Sequence, residues 1–335
     1  MRHLKIYIVA LSIIIFVSCA GSSPNIETIE RVQYQMGTYG RVQIYGGNNK
    51  DVDAAFAKIK ELDNLLSDYN PKSEISEINK MAGVGPVKVD PQVIQVLELA
   101  KTVASETDGV FDPTIGALTI GVYRFGRESD IEHNLAEIDN AKSLVNYKDL
   151  IVNGQSVFLK NKGMMIDLGG IGKGYAVEEA VRVLRARGIK SGVVSLSGDI
   201  KVFGNESEVA ITDPGKDSTI ATFTTGPLDL AISTSGSYER FVDIEGDIYH
   251  HLIVPESGKP GSDFLSLTVV VNDSSTLADA YATALFIMGK DKAFEFLNTH
   301  PTIGAFIVFP DETIYYNTAF ARLVHNLEIK EGRLK

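Results

Sequence analysis

The sequence predicts an α+β fold, with mixed or antiparallel sheets and helices packed on them. Three observations carry that expectation. Strand-like apolar runs are short and numerous, and they do not alternate regularly with helices as a doubly wound sheet would require. Helical periodicity is confined to a few longer segments. Beyond the N-terminus no apolar run approaches the roughly 20 residues that span a bilayer, so the elements must bury one another.

In chain order, Arg2 and Lys5 precede an apolar run from Ile6 to Val17, followed by Ser18-Cys19-Ala20-Gly21. A basic start, a short apolar stretch and small residues at a cleavage point read as a signal peptide over 1–18. Cys19, the only cysteine, sits where a lipoprotein signal places the lipidated residue, so 19–29 reads as a lipidated tether. Phe16 stands where leucine is usual, and ordinary secretion with an incidental cysteine is the alternative. A single thiol forms no internal disulfide. The expected setting is the periplasmic side of a membrane, with residues 30–335 as the folded domain. The net charge of −11 argues against nonspecific binding of nucleic acid, which needs a basic face.

Glu30 to Tyr45 alternates like two strands broken at Met36-Gly37-Thr38. Asp51 to Leu66 carries a helical apolar face with Asp51 as the expected cap, and Pro91 to Glu106 repeats the pattern. The loop Thr107 to Gly116 follows, then strand-like runs at Leu150–Val152, Ser156–Leu159 and Met164–Leu168. A helix from Tyr175 to Arg187 should end at Gly188. Two strands are expected around Ser197-Gly198, several more between Val209 and Val271, helices over Ser275–Met288 and Lys292–Asn298, and two terminal strands.

Four glycines and Lys173 crowd the stretch "DLGGIGKGYA", Asp167 to Ala176. It fits neither the Walker loop nor the G-x-G-x-x-G dinucleotide fingerprint. A glycine-rich turn entering a helix does expose backbone N–H groups, with Lys173 adding a positive charge for phosphate. A tight strand-to-helix crossover with a solvated lysine explains the residues equally well. In "LADAYATALF", Leu277 to Phe286, Asp279 and Thr283 lie four apart and share a helix face. A carboxylate and a hydroxyl are hard oxygen ligands of the kind Mg²⁺ accepts; a first-turn aspartate and a threonine bonded back to its own helix is the plainer alternative. His251, at the end of a strand, is the histidine best placed for chemistry. No Cys/His cluster points to zinc, and no G-x-S-x-G to a serine hydrolase.

In their order along the chain these motifs resemble the ApbE family of FAD:protein FMN transferases. The matching segments are "MGTYGRV" from Met36, "LSDYNPKSEISEIN" from Leu66, "DGVFDPTIGAL" from Asp108 and "DLGGIGKGYAVE" from Asp167. They continue with "SLSGDI" from Ser195, "STSGSYER" from Ser233, "HLIVPESGKP" from His251 and "LADAYATALFIMG" from Leu277. The resemblance implies an ApbE-like fold and an enzyme that transfers FMN from FAD to a threonine or serine of an acceptor protein, with Mg²⁺ and release of AMP. It implies acceptors of the membrane redox-pump type with a Ser/Thr-Gly-Ala-Thr-like motif, which this chain itself lacks. It places metal ligands at the Gly170 carbonyl, Asp279 and Thr283. It places FAD contacts at Met36, Tyr69, Val110, Phe111, Asp112, Asp167, Lys173 and Ile253, with Tyr69 and Phe111 offering aromatic surface to flat rings. His251 is then the expected proton acceptor, with Asp279 beside the metal the poorer base. Val254 and Ser197 depart from the family's usual aspartate and glycine. Hydrolysis of FAD to FMN and AMP, or flavin binding without chemistry, are the competing expectations.

Overall fold

A computed structural model describes residues 27–127, 137–214, 216, 218–238, 241–244, 247–272 and 274–330. The expected signal peptide, Cys19 and most of the tether lie outside the described residues. No described helix is long and apolar enough to cross a membrane.

The chain opens with a hairpin of β1 (Thr28–Gln35) and β2 (Thr38–Tyr45), in which Gln35 faces Thr38. Met36 and Gly37 form the two-residue turn, both with positive φ (49° and 71°), as a twist-matched hairpin requires. Helix α1 (Asn49–Leu66) is capped by Asn48, which accepts from Lys50 N at 2.9 Å. Asp51, the expected cap, instead stands third in the helix and accepts from Asn48 N at 2.8 Å, completing a reciprocal capping box. Then come α2 (Glu74–Lys80), β3 (Val87–Lys88) and α3 (Pro91–Glu106). The last begins where Asp90 accepts from Gln92 N and Pro91 fills the first helical position.

Two short helices follow, α4 (Gly116–Thr119) and α5 (Ile138–Lys142), then β4 (Leu150–Asn153) and β5 (Ser156–Leu159), which join β3 in a small sheet. The expected strand Met164–Leu168 does not form; only an isolated parallel bridge joins Met165 to Ile115. The side chain of Asn79 occupies that backbone instead, accepting from Ile166 N at 2.6 Å and donating to Ile166 O at 2.9 Å. Helix α6 (Gly172–Ala186) starts three residues earlier than expected, at the glycines themselves.

The strands β6 (Gly192–Leu196), β7 (Asp199–Phe203), β8 (Glu208–Thr212), β9 (Thr219–Thr225) and β10 (Leu230–Gly236) come next. They are followed by the short pairs β11 (Phe241–Ile244) with β12 (Asp247–His250), and β13 (Ile253–Val254) with β14 (Lys259–Pro260). The chain then runs through β15 (Ser266–Asn272), α7 (Ser275–Met288) and α8 (Lys290–Thr299). It ends with β16 (Gly304–Val308), β17 (Ile314–Tyr316), α9 (Thr318–Leu323) and β18 (Val324–Ile329), where only two terminal strands were expected.

The main sheet runs β1-β2-β6-β7-β10-β15-β16-β17, with every neighbouring pair antiparallel. Successive side chains point to opposite faces, and here both faces are covered. Val42, Val194, Val269 and Ile307 pack with Phe56, Val177 and Leu285 of α1, α6 and α7. Val193, Val202, Val270 and Phe306 pack against Val209, Phe223 and Val324 of the β18-β9-β8 sheet. Double burial explains why β6, β15 and β16 read as nearly continuous apolar runs rather than alternating ones. A third cluster of Leu118, Tyr123, Phe125 and Ile253 supports the loops beside α4.

Candidate functional site

The glycines after Asp167 press the turn into α6 against α7. A Cβ on Gly174 would lie 2.2 Å from Ser275 O and 2.6 Å from Asp279 Cβ. A Cβ on Gly170 would lie 2.8 Å from Thr283 Cγ2 and 2.9 Å from its Oγ1. With hydrogens in those places, Gly174 N donates to Asp279 Oδ2 at 2.9 Å. The N-cap position of α6, Ile171, makes no side-chain cap, so Asp279 of a distant helix accepts one of the amide protons that a helix start leaves unbonded. Asp279 is 3 % exposed. Thr283 Oγ1 lies 3.4 Å from Ser235 Oγ of β10. The structure thus brings together Gly170, Asp279 and Thr283, the three expected metal ligands.

That donor set fits a hard divalent cation. Among the described residues no three His, Cys, Asp or Glu side chains converge as a metal cluster. A single buried carboxylate, a hydroxyl and a cradle of backbone that a Cβ would fill suit Mg²⁺, which keeps several waters and takes one or two carboxylates.

Lys173 is not the solvated lysine of the plainer alternative. It is ion-paired with Asp199, 2 % exposed at the start of β7, and Asp199 Oδ1 also accepts from Ser233 Oγ at 2.6 Å. The "SLSGDI" and "STSGSYER" segments therefore meet behind the lysine. Ser197, the departure from glycine, holds a φ of 54° in the turn between β6 and β7, a conformation that glycine adopts at less cost.

Asp167 accepts from Thr119 Oγ1 at 2.5 Å and from Gly169 N at 2.8 Å, which ties the glycine turn to α4. Asp112 is buried and its carboxylate is used within the protein. Oδ1 accepts from Thr114 N and Thr114 Oγ1 at 2.7 and 2.6 Å, and Oδ2 from Tyr147 N at 2.8 Å. Burial nonetheless pushes its pKa up. Phe111 is 5 % exposed in the main core, so the aromatic surface expected of it is turned inward, and Val110 packs beside it. Ile253 is likewise buried, in the third cluster. Met36 stands at its hairpin turn, partly buried against the core.

Tyr69 is 45 % exposed. Its hydroxyl donates to Phe125 O at 2.8 Å, and Arg127 lies over its ring, 4.7 Å from the centroid. Arg127 pairs with Asp68 and donates to its carbonyl at 3.0 Å. Burial and the nearby Asp167 push the Asp68 carboxyl up to about 6, against the pull of Arg127. Sequence reasoning passed over Asp68, Arg127, Thr119 and Asp199; the first and last lie inside quoted motifs, and that was their only signal.

His251 is half-buried, directly after β12. Its neighbour His250 is buried, with Nε2 2.7 Å from Gly261 O and Nδ1 accepting from Leu252 N at 3.3 Å. A carbonyl only accepts and an amide only donates, so the neutral Nε2–H tautomer satisfies both. Burial lowers the His250 pKa, and its two hydrogen bonds hold the ring in place as a packing residue.

The ApbE family model matches residues 36–307, a span that holds all these groups. This chain belongs to the ApbE family. A relative from Treponema pallidum (strain Nichols), an "FAD:protein FMN transferase", is 27 % identical over 94 % of this chain and 93 % of its own. The crystal structure of the ApbE protein from Thermotoga maritima superposes with a TM-score of 0.82 at 27 % identity, covering 89 % of this chain and 99 % of that one. The flavin transferase ApbE from Vibrio cholerae shares the fold, with a TM-score of 0.78 at 23 % identity, over 89 % and 99 % of the two chains.

Proposed function

We infer that this ApbE-family protein is an FAD:protein FMN transferase, moving FMN from FAD onto an acceptor protein at the junction of α6 and α7. The observation that carries the reading is the close approach of the Gly170–Gly174 turn to Asp279 and Thr283. It gathers hard oxygen donors beside backbone able to approach a pyrophosphate. A threonine or serine hydroxyl of the acceptor attacks the FMN phosphorus. The new phosphoester bond forms as the bond to the AMP phosphate breaks, and the hydroxyl proton passes to a base. His251 is our choice for that base, since a neutral imidazole is available near neutral pH.

Gly170, Asp279 and Thr283 would hold Mg²⁺, which when bound acts as a Lewis acid on pyrophosphate oxygens. The chain's own residues supply position, which is most of the catalysis in phosphoryl transfer. Asp279 fixes the start of α6 relative to α7. Asp199 and Ser233 hold Lys173 at the mouth of the turn, where its charge can shift toward phosphate. Asp112 ties the Val110–Asp112 loop to Tyr147 so that its main chain keeps one shape. Acceptors with a Ser/Thr-Gly-Ala-Thr-like motif fit this chemistry. A lipid on Cys19 would keep the enzyme on the periplasmic face of a membrane beside such targets.

The test is to incubate the protein with FAD, Mg²⁺ and an acceptor domain. Flavin fluorescence that stays with the acceptor through a denaturing gel is the expected result. Free FMN and AMP with an unlabelled acceptor would make the protein a pyrophosphatase, and no AMP at all would make it a flavin carrier. For the anchor, Cys19→Ala should release the protein from membranes.

A further inference from the structure

Arg127 follows a stretch anchored by the third cluster, where the Tyr123 hydroxyl donates to Gly258 O at 2.6 Å. From there it reaches back to the loop after α1. It pairs with the Asp68 carboxylate, donates to the Asp68 carbonyl and covers part of the Tyr69 ring. With the Tyr69 hydroxyl bonded to Phe125 O, the ring is held at its face, its tip and its preceding residue. Core packing does not require this of a side chain 45 % exposed.

We propose that Arg127, held by Asp68, is a positioning residue that backs the Tyr69 ring so that its exposed surface receives a flat ring of FAD. The inference rests on the transferase reading for its ligand. A guanidinium stacked on tyrosine fixes the ring through cation–π attraction. A ring already fixed loses less freedom when a second aromatic plane settles on it. The charged groups facing Asp68 are Arg127 and Asp167. With its carboxyl pushed up to about 6, Asp68 is ionised and grips Arg127 above that pH and loses its charge below it. FAD affinity should therefore fall as the pH drops through this range.

The experiment is an equilibrium titration of flavin fluorescence with FAD, alongside turnover with the acceptor at saturating FAD. Arg127→Leu should raise the Kd for FAD about five- to tenfold and leave kcat within about twofold, and Arg127→Lys should fall between. Asp68→Asn should weaken binding at pH 7.5 and flatten the dependence between pH 5.5 and 7.5 that the parent shows. An unchanged Kd in Arg127→Leu, or a parent-like pH profile in Asp68→Asn, overturns the proposal. Should Arg127→Leu fail to fold by circular dichroism, the isosteric Asp68→Asn decides. A parent protein that binds no FAD overturns the transferase reading along with this one. Normal parental binding with indifferent variants overturns only the role of Arg127.

Discussion

Where α6 meets α7, the site is made of backbone and short side chains: two glycines, a buried aspartate and a threonine, with no room for one added methyl group. Around Tyr69 it is made of long, half-exposed groups held by an ion pair and a stacked guanidinium. The first region works by exclusion, so a change there removes an arrangement outright. The second works by charge and orientation, so a change there shifts an affinity by degrees. On the proposed reading, the metal-ligating groups fall in the first region and a contact to a flavin-dinucleotide ring in the second.

The largest expected effect tests whether Asp279 is more than a cap. Asp279→Asn keeps an acceptor for Gly174 N–H but removes the charge, so the melting temperature should hold. Turnover should drop by about a thousandfold, the several kcal/mol a lost metal-ligating charge represents. Activity within tenfold of the parent would reduce Asp279 to a structural residue. Gly174→Ala attacks the same seam sterically. The atoms it meets are backbone and a helix-bound Cβ, so the helices must part, at about 1–3 kcal/mol. An unaltered urea midpoint would show that the seam yields after all.

The Lys173–Asp199 pair ties α6 to β7. Lys173→Ala strands a buried carboxylate and should cost about 2–3 kcal/mol, part of it recovered in the Lys173→Ala/Asp199→Asn double variant. Both should bind FAD weakly. A double variant no more stable than the single one would mean that the pair does not matter to folding. The smallest effect belongs to Asp68. Its native carboxyl, raised from 3.8 to about 6, binds a proton more tightly than the unfolded chain does. That contribution to stability is full below about pH 4 and is lost as pH rises through 6. Asp68→Asn should therefore gain stability over the parent at pH 7.5 relative to pH 4.5, as read from unfolding curves at both.

Much of the fold was legible because its signals are local. The helix Pro91–Glu106 has its cap, its proline and its apolar period within one stretch of chain, and it forms over those residues. Helix α7 and strand β5 likewise follow their patterns. Met164–Leu168 looked like a strand because it is apolar. At its centre Ile166 is bonded instead by Asn79, 87 residues away, and composition does not encode that partner. At the site, the glycines advertised a close approach without saying to what. In the fold, α7 lies against two of them, Gly170 and Gly174. A phosphate-binding and a solvated Lys173 fitted the residues equally well, and neither reading carried its partner Asp199; Phe111, expected to offer aromatic surface, lies in the core.

The sequence by itself determined most of the stretches that become helices and strands, which faces are apolar, and which short stretches carry unusual chemistry. These depend on neighbours within a few residues, and periodicity records them. Tertiary structure alone decided that Asp279 accepts from Gly174 N, 105 residues earlier, that Arg127 backs Tyr69, and that Asp112 is spent on Thr114 and Tyr147. Contacts between distant segments depend on how whole layers pack, and no local pattern carries that information.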